Sequence, residues 1–273
     1  MSQVMSPAMS LEHRLRRRFL ALLASALLLP NWAQAQDADA TPAQEPTADA
    51  EALEIVMRAD EIRFPRDSFQ TEIAVRNLSA GEQNDERKFR VLSRGNENTI
   101  VLSTEPASER GQALLMRGRD LWIFMPSVSQ PVRLSLAQRL TGQVANGDLA
   151  RANLAGDYIP TIIGREELDG QAAVVLSLSA VDRGVTYSKV KYWVAEKDSR
   201  PLKAEFYALS GRLLKTARYE EFKDMAGRLR PTRLVLEDAL RAGEVSVLTY
   251  ETMRLRDLPE RMFTREYLRR LEQ

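Results

Sequence analysis

Residues 111–158 read GQALLMRGRDLWIFMPSVSQPVRLSLAQRLTGQVANGDLARANLAGDY. Two apolar runs, 114–116 and 121–125, flank Arg117-Gly118-Arg119-Asp120, and a glycine in such a polar break predicts a β-hairpin. Pro126 and Pro131 bracket a polar turn, after which Val132-Arg133-Leu134 resumes as a short strand. Ser135 then offers an N-cap, and Leu136, Leu140 and Val144 recur at helical spacing. Asn146-Gly147-Asp148 and Asn153 add two cap signals, so the pattern predicts one or two short helices over 136–154, loosely tethered, and no long rod.

Outward from this stretch the chain alternates. Phe69, Thr71, Ile73 and Val75 fall on one strand face, with Gln70, Glu72, Ala74 and Arg76 on the other. Further strands are expected over 86–93, 99–103, 160–168, 172–180, 187–196, 202–208, 213–222, 229–237 and 245–255, separated by turn residues such as Asp169-Gly170, Ser210-Gly211 and Ala226-Gly227. No repeat of fixed length appears. The fold class is therefore mainly β with a few helices. A sheet this wide curls or splits, and a barrel of more than about eight strands leaves space its own side chains do not fill. The available plugs are the helical insert at 136–154 and a short leading helix with Leu53, Val56 and Met57 on one face. The segment 259–271 is amphipathic, with Phe263, Tyr267 and Leu271 on one side and a solvated Arg/Glu face on the other.

At the N-terminus Arg14, Arg16, Arg17 and Arg18 precede an apolar run over 19–29 and an Ala33-Gln34-Ala35 site, the pattern of a cleaved export signal over residues 1–35. The run is too short for a bilayer span. Residues 36–50, rich in Ala, Asp and Pro, read as a disordered tether, and 51–273 as one domain. The leader holds four of the 39 Lys and Arg and one of the 38 Asp and Glu, which leaves 35 against 37. That balance gives no general field for nucleic acid. The single histidine, His13, is in the leader, and there is no cysteine. Without imidazole or thiolate, most hydrolase mechanisms and His- or thiolate-ligated zinc are excluded, and no catalytic residue, metal or cofactor is assigned.

The ordered run of LLMRGRDLWIFMP, PVRLS, QRLTG, NGDLA and GDY resembles the outer-membrane lipoprotein-sorting protein family, the LolA/LolB-like periplasmic carriers, from about Ala52 to the C-terminus. The resemblance implies a strongly curved antiparallel sheet forming an unclosed barrel, with short helices as a lid over an apolar cavity on its concave side. It implies a monomeric periplasmic carrier that shields the acyl chains of a lipid or lipidated protein and serves outer-membrane biogenesis. It also associates an arginine placed like Arg133 with lid opening.

The residues themselves leave choices open. In 121–125 both strand faces are apolar, so each needs cover, by the lid on one side and by another helix or a partner on the other. Leu115, Met116, Trp122, Phe124, Met125, Leu136 and Leu140, with Trp193 and Phe206 from later strands, are candidate cavity wall; each alone reads equally well as core. Arg133 reads as a lid latch, a contact for a lipid headgroup, or a surface arginine. Asp148 and Asp157 read as helix cap and lid anchor. The alternative to a carrier is a lipid-sensing module of the same fold acting with an inner- or outer-membrane partner such as an exporter.

Overall fold

The computed structural model describes residues 49–79, 85–151 and 153–271. The expected leader and nearly all of the tether lie outside the described residues. The last two residues of the tether range begin the domain instead: Asp49 is the N-cap of helix α1 (Ala50–Arg63), its side chain accepting from Glu51 N–H at 3.0 Å. Ala52, Ile55, Val56, Ala59 and Ile62 form the buried face of α1, at the spacing an amphipathic helix requires. Phe64 turns extended before Pro65, as residues before proline do, and stops the helix. Arg230 satisfies the end of α1, donating to the carbonyls of Glu61 at 2.6 Å and Ile62 at 3.1 Å.

Among the described residues one antiparallel sheet holds thirteen strands and is not closed into a barrel. In chain order these are β1 (Phe69–Leu78), β2 (Asp85–Arg94), β3 (Asn98–Glu105), β4 (Ala113–Arg117), β5 (Asp120–Met125) and β6 (Val128–Leu134). A separate two-stranded ladder, β7 (Arg139–Thr141) and β8 (Val144–Ala145), follows, with helices α2 (Asn146–Ala150) and α3 (Leu154–Asp157). The sheet resumes with β9 (Tyr158–Leu168), β10 (Gln171–Ala180), β11 (Lys189–Ala195), β12 (Pro201–Tyr207), β13 (Leu213–Met225), β14 (Arg228–Asp238) and β15 (Val245–Leu255).

The spatial order runs from β6 back to β1, then from β15 back to β9. The first and last strands pair at the centre, Phe69 opposite Leu255 through Leu78 opposite Val245, and the two edges are the mid-chain strands β6 and β9. One face of nearly every strand converges on α1, α2 and α3, with Phe69, Ile73 and Val75 from β1 meeting Leu176, Tyr192 and Leu248 in a single cluster. A sheet that presents so many strands to three short helices must curl around them. Arg119, in the β4–β5 turn, reaches Asp157, the last residue of α3 before β9, at 3.0 Å, so the two halves come together at one end.

The expected strands are all present, in the expected order. Three local expectations are corrected. Leu136 and Leu140 do not lie on a helix: Ser135 Oγ accepts from Ala137 N–H in a turn, and 139–145 forms the β7–β8 ladder. Gly142, at φ +50°, makes that ladder possible; a Cβ there would meet Asn77 Oδ1 at 1.9 Å, so the turn lies hard against β1. The strand after Pro126 starts at Val128 and carries Pro131 within it, which only an edge strand tolerates. The C-terminal segment is not one helix. A short turn at Glu260–Met262 precedes α4 (Arg265–Leu271); among the described side chains Phe263 and Leu268 are buried and Tyr267 is half-buried, while that of Leu271 lies outside the described residues. Phe263 and Leu268, with Leu258, cover the outer face of β2–β5 by packing on Leu92, Ile100, Leu115 and Phe124.

Candidate functional site

The segment between the two sheet edges, 135–157, is what lies over the concave face. Its helices have five and four residues. Helices this short do not stand on their own backbone bonds and depend on contacts to the rest of the fold. Gly147 allows α2 to approach the loop before β11 closely: a Cβ there would sit 2.0 Å from Thr186 Oγ1.

Three polar clusters hold the helical part of the segment down. At α2, Asp148 accepts from Ala145 N–H at 2.7 Å, Tyr187 Oη at 2.8 Å and Lys215 Nζ at 2.6 Å. Lys215 is buried, donates also to Gln143 O at 2.6 Å, and lies 5.0 Å from the Tyr187 ring centre. Burial, opposed by Asp148, holds its ammonium below the usual lysine range.

At α3, Asp60 of α1 accepts from Ala155 N–H at 2.9 Å and pairs with Arg63 at 3.3 Å. Burial pushes Asp60 up to about 6, against the pull of Arg63.

Between the helices, Arg151 donates to Asp157 Oδ1 at 2.8 Å, to Gly118 O at 2.8 Å and to Glu97 Oε2 at 3.2 Å. Asn153 donates to Glu97 Oε1 at 2.7 Å. Arg119 holds Asp157 from the other side and pairs with Asp182 as well. Arg151 and Asp157 side chains are 5% and 6% exposed. This cluster joins the β2–β3 and β4–β5 turns of one half of the sheet to the start of β9 in the other.

Beneath the segment Val190, Phe206, Leu234 and Leu236 form an apolar wall to a cavity of about 40 Å³ that Arg63, Asp148, Arg151 and Asp157 also line. That is room for a few waters. Tyr187 packs on Phe206 with ring centres 4.4 Å apart, and in the surrounding core Tyr192 Oη is buried with no hydrogen-bond partner among the described residues. Among the described residues no group of His, Asp and Glu could hold a metal ion.

The crystal structure of a LolA superfamily protein from Nitrosomonas europaea is 60% identical in sequence, with a TM-score of 0.76, over 79% of this chain and 98% of that one. This chain belongs to the LolA superfamily. The LolA fold recurs at 21% identity and a TM-score of 0.69 in a putative outer membrane lipoprotein-sorting protein domain from Vibrio parahaemolyticus, over 80% of this chain and 98% of that one. A DUF1329 family protein from Desulfovibrio piger matches at the same identity and TM-score, over 81% and 99%. A family model described as "Uncharacterized protein" matches residues 95–270. No curated protein matches the chain.

Within this LolA-type frame the ten expected site residues do not share one surface. Met116, Leu136 and Phe206 are buried on the inner side, and Leu140 packs against them, but of the ten only Phe206 lines the cavity. Leu115, Trp122 and Phe124 lie on the outer face under the C-terminal segment, with Arg265 4.7 Å from the Trp122 ring centre. Trp193 is also outward, in a small cluster with Ala173 and Val175, its Nε1 donating to Glu166 at 2.6 Å. Met125 is half-buried and belongs to no core cluster. Arg133, 73% exposed, pairs with Asp120. The hairpin register explains the division: Leu115 faces Trp122 and Ala113 faces Phe124, while Met116 faces Leu121, and cross-strand partners share a face.

Of the three readings of Arg133, its exposure and its pair with Asp120 fit the surface arginine, and the arginines that fasten the 135–157 segment are Arg151 and Arg119. Asp148 and Asp157 are cap and anchor, as their sequence context suggests. Nothing local in the sequence marks Lys215, Tyr187, Arg63 or Arg230; each sits in a strand, loop or helix end where a charged or phenolic group at an inward position is the only signal.

Proposed function

We propose that this chain is a carrier that takes an acyl chain of a lipid or lipidated protein beneath the 135–157 segment, in the periplasm, and moves it toward the outer membrane. The observation that carries this reading is the way the segment is held. Its two short helices rest on an apolar wall but are fastened by side-chain ion pairs and hydrogen bonds, not by a backbone ladder. A ligand pocket usually measures about 300–1,000 Å³, so the 40 Å³ cavity corresponds to a closed form whose lid fills the guest's place. Exposing a sixteen-carbon chain to water costs on the order of 12 kcal/mol, at about 0.8 kcal/mol per CH₂. That is ample to offset release of the segment and loss of its packing.

Membership in the LolA superfamily supports the carrier reading, and the fold is shared with a putative lipoprotein-sorting domain. Among the described residues no helix is long and apolar enough to cross a membrane. The carboxylates that could have served acid/base chemistry, Asp148 and Asp157, are engaged by Lys215 and by two arginines, which favours binding over catalysis.

Mass spectrometry of protein purified from cells without detergent should find stoichiometric lipid or an acylated peptide. Preparations that are always empty, together with no uptake of a fluorescent acyl probe, would defeat the reading. Capture of many lipidated clients from envelope extracts is expected of a carrier; capture of one membrane protein alone would favour the sensor.

A further inference from the structure

Beside the buried Lys215 a second, open cleft of about 300 Å³ runs between the β7–β8 ladder, the start of β13 and the β14–β15 turn. Its wall carries Arg139, Arg212, Lys215 and Arg241 against a single acid, Asp238. Arg58, Arg76, Arg90 and Arg218 elsewhere on the surface each face a carboxylate. Arg139, Arg212 and Arg241, all exposed, have no carboxylate within 4.0 Å among the described residues. Asp238 is occupied with the turn, accepting from Leu240 N–H at 2.8 Å and Arg241 N–H at 3.1 Å. The same cleft carries Leu214 and Leu240, the latter 65% exposed. Tyr187 lines both this cleft and the inner cavity, so the two spaces meet at one ring.

We infer that this cleft is the site for a phosphate-bearing anion, the headgroup of an anionic phospholipid whose acyl chains enter beneath the 135–157 segment. The inference rests on the carrier reading for the acyl chains and adds where the head is recognised. Three guanidiniums without carboxylate partners around one concavity suit phosphate oxygens, which they bind with paired N–H donors. The neighbouring leucines suit the glycerol and first methylenes. Lys215 forms the floor: with two of its three N–H groups given to Gln143 O and Asp148, it is poised to exchange the Asp148 carboxylate for an incoming phosphate oxygen, and that exchange removes one of the two side-chain bonds that tie Asp148 of α2 to the sheet and its loops.

The test uses the mature chain and a variant with Arg139→Gln, Arg212→Gln and Arg241→Gln, three exposed positions away from the core. Binding of fluorescent phosphatidylglycerol and phosphatidylcholine with identical acyl chains is compared with that of a neutral diacylglycerol probe, and inorganic phosphate is titrated separately by calorimetry. The wild type should hold phosphatidylglycerol about tenfold or more tighter than phosphatidylcholine, and the variant should lose that preference while keeping the neutral probe. Equal uptake of both phospholipids, with phosphate bound by the wild type and not by the variant, would support the anion site and make its source a free phosphate. A wild type indifferent to headgroup charge and to phosphate alike, or a variant that keeps the wild type's preference and its phosphate binding, would overturn the inference. If no acyl probe binds at all, the carrier reading fails, and the phosphate titration still decides this site.

Discussion

Arg151 and Asp157 face each other at 2.8 Å across the link between two helices that are each barely one turn long. The pair is buried, and Arg119 closes on the same carboxylate from the opposite half of the sheet. A charge in this position is tolerated only while its partner is present. The contact therefore acts as a fastener whose loss is felt both in stability and in the mobility of the segment it holds.

Replacing Arg151 by Met is expected to lower the unfolding free energy by about 2–4 kcal/mol, somewhat less than for an isolated buried pair because Arg119 still serves Asp157. Urea denaturation reads the loss. Hydrogen exchange should quicken over 146–157 more than over β10–β13. A change below 1 kcal/mol with unaltered protection there would dismiss the fastener.

Asp60 makes stability depend on pH in a direction opposite to that of most carboxylates. Its native pKa of about 6 lies above the ordinary 3.8, so between those values the folded chain holds the proton and the unfolded chain does not. Its contribution is thus greatest in acid and falls as pH rises from about 4 to about 6, by up to about 3 kcal/mol. Asp60→Asn keeps an acceptor for Ala155 N–H and removes the titration. The stability difference between wild type and variant, followed by urea titration across this window, should shrink in the wild type's disfavour as pH rises; a flat difference would reject the buried, proton-holding Asp60.

At Gly147 the prediction is steric. Gly147→Ala places a methyl against Thr186 and should cost about 1–3 kcal/mol by displacing α2. Combining it with Thr186→Ala removes the two nearest atoms and should recover part of the loss, as measured by thermal unfolding of the single and double variants. Absence of any recovery would mean that the clash is not what the alanine introduces.

The two faces of the sheet should separate in function. Phe206→Ala, on the inner wall, is expected to destabilise by about 3 kcal/mol and to weaken acyl-probe binding. Trp193→Phe, on the outer face, should leave probe affinity within twofold while disturbing only its small cluster. Equal effects on binding in a fluorescence titration would place the guest elsewhere.

Strand alternation made the sheet readable before any coordinates, because a half-buried strand has to place its apolar residues two apart. Phe69, Thr71, Ile73 and Val75 are all buried on this account. The 136–145 segment misled because Leu136, Leu140 and Val144 fit a helical period as well as they fit a turn and a ladder, and Gly142 decides the matter only through its contact with Asn77 and Ser246. The inner wall was half legible: the hairpin register separates Met116 from Leu115, yet nothing local says which side is concave. The fasteners were illegible. Glu97 and Arg151 are 54 positions apart and Asp148 and Lys215 are 67 apart, so their pairing exists only once the sheet has curled.

The unjoined margins of the sheet have a mechanical meaning. Among the described residues no ladder of amide hydrogen bonds links β6 to β9, so the two halves can splay about the central β1–β15 pair without breaking any strand pairing. In a sealed cylinder the same widening would require tearing a whole row of amide bonds. Here the resistance comes from a few guanidinium and carboxylate groups near the rim, and the aperture can breathe while the wall stays whole.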